Sequence, residues 1–199
     1  MARPRASPPP KAASPKPRPP GALPLPLPAA LLDRPLDYLL AEHHRHRSYL
    51  AGLRYAATLA EIPRDQAARL HLFLAAELPL HWADEEQDLF PILRRYALPE
   101  DGLAEVLARL SQDHAMSEAL VRTIDRGLST VLRERPDPIP LERRLCGLML
   151  TYAATEARHL AVENAVVLAI AGVRLRKAEL HGLSAAMKAR REAQHVADA

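Results

Sequence analysis

HWADEEQDLFP, residues 81–91, is the stretch on which the reading of the chain turns. His81 and Glu85 stand four residues apart, the spacing that puts two side chains on one face of an α-helix. That face is otherwise apolar, with Leu70, Leu74, Leu78, Leu89 and Ile92 on it. Three more stretches repeat an apolar stripe broken by a histidine. Leu36, Leu39, Leu40, His43, Leu50 and Leu53 form one, and Leu103, Leu107, Leu110, His114, Val121 and Leu128 another. The last runs Leu141, Leu145, Leu148, Tyr152, His159, Glu163, Val166 and Ile170, with a second His–x–x–x–Glu pair at its centre. The period throughout is that of a helix with one buried face, and no segment alternates with the period of a strand.

Breakers divide these stretches into four long helices. The first is expected from Pro35 to Glu61, ahead of Pro63, and the second from Arg64 to Ala97, ahead of Pro99. The third is expected from Glu100 to Arg135, and the fourth from the PDPIP turn to about Gly172. Pro79 and Pro91 fall inside the second helix and predict a kink beside His81. RKAELHGLSAAMKARR, residues 176–191, reads as a shorter fifth helix that caps one end with a basic, solvated face. Residues 1–35 hold twelve of the 19 prolines, so residues 1–34 read as a disordered, partly polyproline tail. The expectation is an all-α, up-down-up-down four-helix bundle over residues 35–172, followed by a capping helix and tail over 173–199.

Composition agrees and excludes some classes. The chain of 199 residues is 48% hydrophobic and 4% aromatic, rich in Ala, Leu and Arg, which favours helix. A single cysteine, Cys146, rules out an internal disulfide and a cysteine metal cage, and a reducing, cytoplasmic setting is expected. The net charge of +3 comes from the tail, where Arg3, Arg5, Lys11, Lys16 and Arg18 meet no acid. The remainder is close to neutral, so neither a nucleic-acid nor a membrane partner is expected. A monomer or homodimer is anticipated.

Position along the helices sharpens the polar pattern. His43 lies 20 residues before Pro63 and His81 lies 18 after it. Glu85 lies 14 before Pro99 and His114 lies 15 after it. His114 lies 23 before Asp137 and His159 lies 22 after it. In an up-down bundle, equal distance from a turn means equal height, and a mismatch of one or two residues is only about 3 Å. Four helices therefore bring His43, His81, His114 and His159 to one level, with Glu85 and Glu163 beside them. A buried glutamate is costly unless paired, protonated or bound to a cation. A metal site is the simplest solution. Nitrogen and oxygen donors without thiolate suit iron or manganese and also permit zinc. Two histidines per metal and two bridging carboxylates leave coordination positions open for dioxygen, nitric oxide or peroxide.

Four motifs carry a family resemblance: LLAEHHRHR from Leu39, HWADEEQDLFP from His81, QDH from Gln112, and HLAVEN from His159. Together they resemble the hemerythrin-like, or HHE cation-binding, domain over about residues 35–172. The ligand pattern is closest to the iron–sulfur cluster repair di-iron proteins. Oxygen-carrying hemerythrins have a second histidine in the third helix, where this chain has Glu118, and HxxxxD in the fourth, where it has HxxxE. The resemblance implies two irons with an oxo or hydroxo bridge. His43, His81, His114 and His159 would be terminal ligands, and Glu85 and Glu163 would bridge. It implies binding or sensing of a small oxidant, with cluster repair, iron donation or reduction of peroxide or nitric oxide as alternatives. A purely structural metal, with function delegated to the tail and a protein partner, is the non-redox alternative.

Other polar residues have plainer readings. His46, one turn from His43, is an alternative to it as a ligand but is expected behind it or at the surface, and His44 outside. Glu118 is expected to orient an imidazole, and Glu86 to be solvated. Glu77 and Glu156 flank the stripes. Tyr152, Trp82, Phe73 and Phe90 are read as packing, Cys146 as a small buried hydrophobe, and His71, His181 and His195 have no assigned partner.

Overall fold

A computed structural model describes residues 23–134 and 136–197. The proline-rich residues 1–22 lie outside the described residues. Four long helices form the bundle: α1 (Pro35–Leu59), α2 (residues 64–96), α3 (Leu103–Val131) and α4 (residues 143–174). A fifth, α5 (Lys177–Ala197), runs longer than its sequence pattern indicated. Pro35 opens α1 at a position where its missing N–H costs nothing. Gly102, at φ +59, makes the turn into α3, a conformation that costs glycine little.

The structure adds several features to the sequence reading and departs from it at residues 23–34. Residues 23–34 are not a free tail. Leu23 and Leu32 are buried, a short 3₁₀ turn forms at Ala29–Asp33, and Tyr49 and Arg69 donate to the carbonyls of Pro24 and Leu23. Leucines between the prolines supply apolar surface that the bundle covers. Two strands of two residues, Glu61–Ile62 and Ile139–Pro140, pair antiparallel and tie together the links at one end of the bundle. They are too short to leave an alternation. Finally, α2 continues through both prolines. A wide π-turn precedes each, Phe73–Glu77 before Pro79 and Asp84–Leu89 before Pro91, which accommodates a residue that cannot join the regular ladder.

A third π-turn, Glu163–Val167, lies in α4 without a proline. It inserts a residue into the helical period, so Val167 and Ala171 are buried below, while Val166 and Ile170 are only half-buried. The same shift in α2 buries Leu93 in place of Ile92.

The apolar interior has two layers. One contains Leu50, Leu53, Phe73, Ile124, Met149 and Tyr152. The other contains Leu39, Leu89, Phe90, Leu107, Val167 and Met187. All six polar residues singled out from the stripes fall between these layers. No helix among the described residues is long and apolar enough to cross a membrane.

Candidate metal centre

Each bundle helix contributes to the level between the two layers. α1 supplies His43, α2 His81 and Glu85, α3 His114, and α4 His159 and Glu163, all at least nine-tenths buried. Glu85 sits inside one π-turn and Glu163 opens another. Wide turns of this kind recur at functional sites, where they re-aim side chains. The two His–x–x–x–Glu pairs are matched, with His81 Nε2 3.4 Å from Glu85 Oε1 and His159 Nε2 2.8 Å from Glu163 Oε1. Across the helices, His43 Nε2 lies 3.5 Å from Glu85 and 3.6 Å from Glu163. His114 Nε2 lies 3.5 Å from Glu85 and 3.9 Å from Glu163.

These donors form two overlapping groups. His43, His81, Glu85 and Glu163 make one, and Glu85, His114, His159 and Glu163 the other, with all donor atoms of a group within 4.8 Å of one another. Both glutamates belong to both groups. Either group has the donors to hold a cation, and the two carboxylates are common to both.

The imidazoles are oriented from behind, through the ring nitrogen that faces away from the centre. His43 Nδ1 meets Asn164 Oδ1 at 2.8 Å, His81 Nδ1 meets Glu42 at 3.1 Å, and His114 Nδ1 meets Glu86 at 2.7 Å. His159 Nδ1 faces Asp113 at 3.8 Å, beyond hydrogen-bond reach. An Nδ1–H given to an outer acceptor leaves the Nε2 lone pair pointing inward, as a metal ligand requires.

The inward atoms have no other use. The Nε2 atoms of His43, His114 and His159, one oxygen of Glu85 and both of Glu163 are buried with no hydrogen-bond partner among the described residues. His159 Nε2 and Glu163 are close, but off the line of a hydrogen bond. Orphaned buried polar atoms are rare and expensive, and so many converging on one point fit a cation shared between them.

Protonation follows from the same crowding. Burial, then the like charge of Glu163, pushes Glu85 well above the usual carboxylate range. Glu163 goes the other way: burial opposes ionisation, but the His159, His43 and His81 imidazoles hold it low. Burial also works against the charged form of His159, yet Glu163, Glu156 and Asp113 together raise it to about 9. Burial keeps His81 well below, and His114 below, the ordinary histidine value, which favours the neutral form that binds metals.

The model of the hemerythrin HHE cation-binding domain matches residues 34–171. This chain belongs to that family. Among curated proteins, none gives a significant match to it. Cation binding by this hemerythrin-family bundle thus rests on the family and on the two donor groups.

Several expectations for neighbouring residues are corrected. Glu118 does not orient an imidazole. It is exposed and pairs with Arg122. The orienting carboxylate on that flank is Glu86, expected to be solvated. It is half-buried where α2 meets α3, holds His114 and accepts from Ser111. His46 is buried rather than at the surface, its ring 4.4 Å from that of His81, and it joins neither donor group. Glu77 pairs with Arg45, and His71 pairs with Asp125. Glu156 is buried with one oxygen unpartnered and is raised to about 7, mainly by burial. Tyr152 packs in the core, also with its hydroxyl unpartnered.

The basic face of α5 is solvated only in part, for two of its arginines turn inward. Arg190 pairs with Asp84 and Asp88, and Arg191 with Asp84 and Glu42. Glu42, Asn164, Asp84 and the two arginines were not assigned roles from sequence. The only local trace of the first three is adjacency to a stripe residue. A groove of about 620 Å³ between α2 and α3, lined by Trp82, Glu86, Ser111 and His114, approaches the centre from the opposite flank.

Proposed function

We propose that His43, His81, Glu85, His114, His159 and Glu163 hold two iron ions, and that the centre binds or senses a small oxidant such as dioxygen, nitric oxide or peroxide. The observation that carries the reading is the sharing of Glu85 and Glu163 between both donor groups. A non-haem di-iron pair with incomplete coordination supplies a binding position for such a molecule. The chain's own residues do the rest. Asn164, Glu42 and Glu86 fix the tautomer and angle of three imidazoles. The two apolar layers exclude bulk water. Glu85 and Glu163 bring carboxylate charge to offset that of the cations. Enclosure limits the ligand to a few atoms, because all six donors are buried.

Supplying iron to damaged clusters, or turning over peroxide or nitric oxide, is a second reading. It is favoured by the groove that reaches His114 and by the partly exposed Glu86 and Asp113 on that side. Repeated turnover with a reductant, as opposed to reversible binding, separates the two. The test of the shared reading is the iron content of the His81→Ala, Glu85→Ala double variant beside that of the unmodified chain. Loss of iron and of the oxo-bridge absorption is expected. Unchanged iron content in a folded variant would sink the proposal.

A further inference from the structure

Three of the four imidazoles are backed by a residue of the four-helix bundle, and the support stays within the bundle, Glu86 accepting from Ser111 and Asp113 from Arg109. His43 has Asn164, His114 has Glu86, and His159 faces Asp113. His81 is different. Its Nδ1 lies 3.1 Å from one oxygen of Glu42, and the other oxygen of Glu42 lies 3.4 Å from Nη2 of Arg191 on α5. A line of contacts therefore runs Arg191–Glu42–His81, from the fifth helix to the centre. The same Nη2 donates to Asp84 at 2.7 Å, the residue next to Glu85. Glu42 and Asp84 are buried, at 4% and 0% exposure, so the guanidinium supplies charge that water cannot reach.

The guanidinium is itself fixed on every side. Nε donates to Tyr38 Oη at 3.1 Å, Nη1 donates to the Met187 carbonyl at 3.0 Å, and the central carbon sits 4.7 Å over the Tyr38 ring. α5 is anchored below it by Leu183 and Met187 in the second apolar layer.

We infer that Arg191 is a positioning residue for the metal centre, and that through Glu42 and His81 it couples the docking of α5 to metal occupancy. The inference rests on the metal reading above. A carboxylate behind a ligand histidine fixes its ring and strengthens its donation, and losing such support typically weakens metal binding by about 10- to 100-fold. Coupling of this kind is reciprocal: the factor by which docked α5 favours the metal is the factor by which the metal favours docked α5. The C-terminal helix thereby becomes a latch, with the docked state holding the metal and the released state letting it go.

The test uses the full chain and cobalt(II) alone, with affinity read by chelator competition and α5 docking read by hydrogen exchange. Arg191→Met is compared with Arg174→Met, which breaks the Arg174–Asp101 pair at another helix end away from the centre. Arg191→Met is expected to weaken cobalt binding about tenfold, while Arg174→Met leaves it unchanged. Cobalt is expected to slow exchange across α5 in the unmodified chain and not in Arg191→Met. If Arg191→Met does not fold, Arg191→Lys, which keeps the charge but not the several contacts, and hydrogen exchange of the unmodified chain carry the test. Equal weakening in the Arg191 and Arg174 variants, or α5 exchange indifferent to cobalt in the unmodified chain, overturns the inference alone. No cobalt uptake at all overturns the metal reading with it.

Discussion

The two flanks of the centre have the same donors and opposite surroundings. Behind His81, Glu42 and Asp84 are buried and closed over by Arg190 and Arg191. Behind His114 and His159, the Glu86 and Asp113 side chains are 32% and 29% exposed, and the groove past Trp82 opens beside Glu86 and His114. One donor group is sealed by charged pairs, and the other borders a groove. On the di-iron reading proposed above, the sealed half would retain its ion and the other half would exchange it. The division arises because the fifth helix covers only one flank.

The most severe way to break this asymmetry is to remove what both halves share. Glu85→Ala and Glu163→Ala each take a donor from both groups, so both positions are expected to empty. His114→Ala, confined to the open flank, is expected to leave one metal per chain. Metal analysis of the purified variants decides between these patterns. If Glu85→Ala and His114→Ala lost the same amount, the idea of a shared carboxylate would fail.

A second prediction sharpens the picture of the His159 side of the centre, where Glu156 lies buried beside His159 and Glu163. Folded Glu156 keeps its proton up to about 7, whereas the unfolded chain releases it near 4.5. Between those values the folded state binds more protons, so stability falls as the pH rises through this window and is flat above it. The loss is on the order of 3 kcal/mol. Metal-free Glu156→Gln should have a shallower slope, since Glu85 and Asp84 still contribute, and exceed the unmodified chain in stability at pH 8, as measured by denaturant unfolding. A variant with the same slope would place the titration elsewhere.

How far the sequence reveals this molecule depends on whether a residue acts through local period or through distant packing. His81 with Glu85 and His159 with Glu163 were legible because a helix places i and i+4 on one face. The common height of four histidines followed from distances to the turns. The displaced burial after Glu163, Val167 in place of Val166, was not legible, because no proline marks the π-turn there. Glu42 and Glu86 were hidden for a related reason. Each lies about 100° from its neighbouring stripe residue, and it faces an acceptor role only because another helix arrives at that angle. Arg191 lies 149 residues from Glu42, and nothing in its own helix announces the contact. Residues 23–34, of which Leu23 and Leu32 are buried, looked like part of the tail because prolines alternate with their leucines and continue the proline-rich run before them.

Comparing the carboxylates behind the imidazoles gives a smaller, graded effect. Glu42→Gln on the sealed flank is expected to weaken metal binding by about 100-fold, and Glu86→Gln on the open flank by about tenfold, because water can substitute there. Calorimetric titration with zinc measures both, and equal losses would erase the distinction between flanks.

The smallest effect is a proton count. In the metal-free chain His159 is protonated below about 9, and it must be neutral to bind. Affinity is therefore expected to rise with pH up to about 9, with protons released on metal addition at pH 7. Titrations in buffers of different ionisation enthalpy measure this release, and its absence would show that His159 does not take part.

The central claim is the shared, two-ion centre, and metal content with a visible spectrum tests it most directly. Protein from iron-supplied cells is predicted to carry two irons per chain, with oxo-bridge charge-transfer absorption that responds to nitric oxide or peroxide. Zinc alone, or no metal even after anaerobic reconstitution with ferrous iron, would contradict the account.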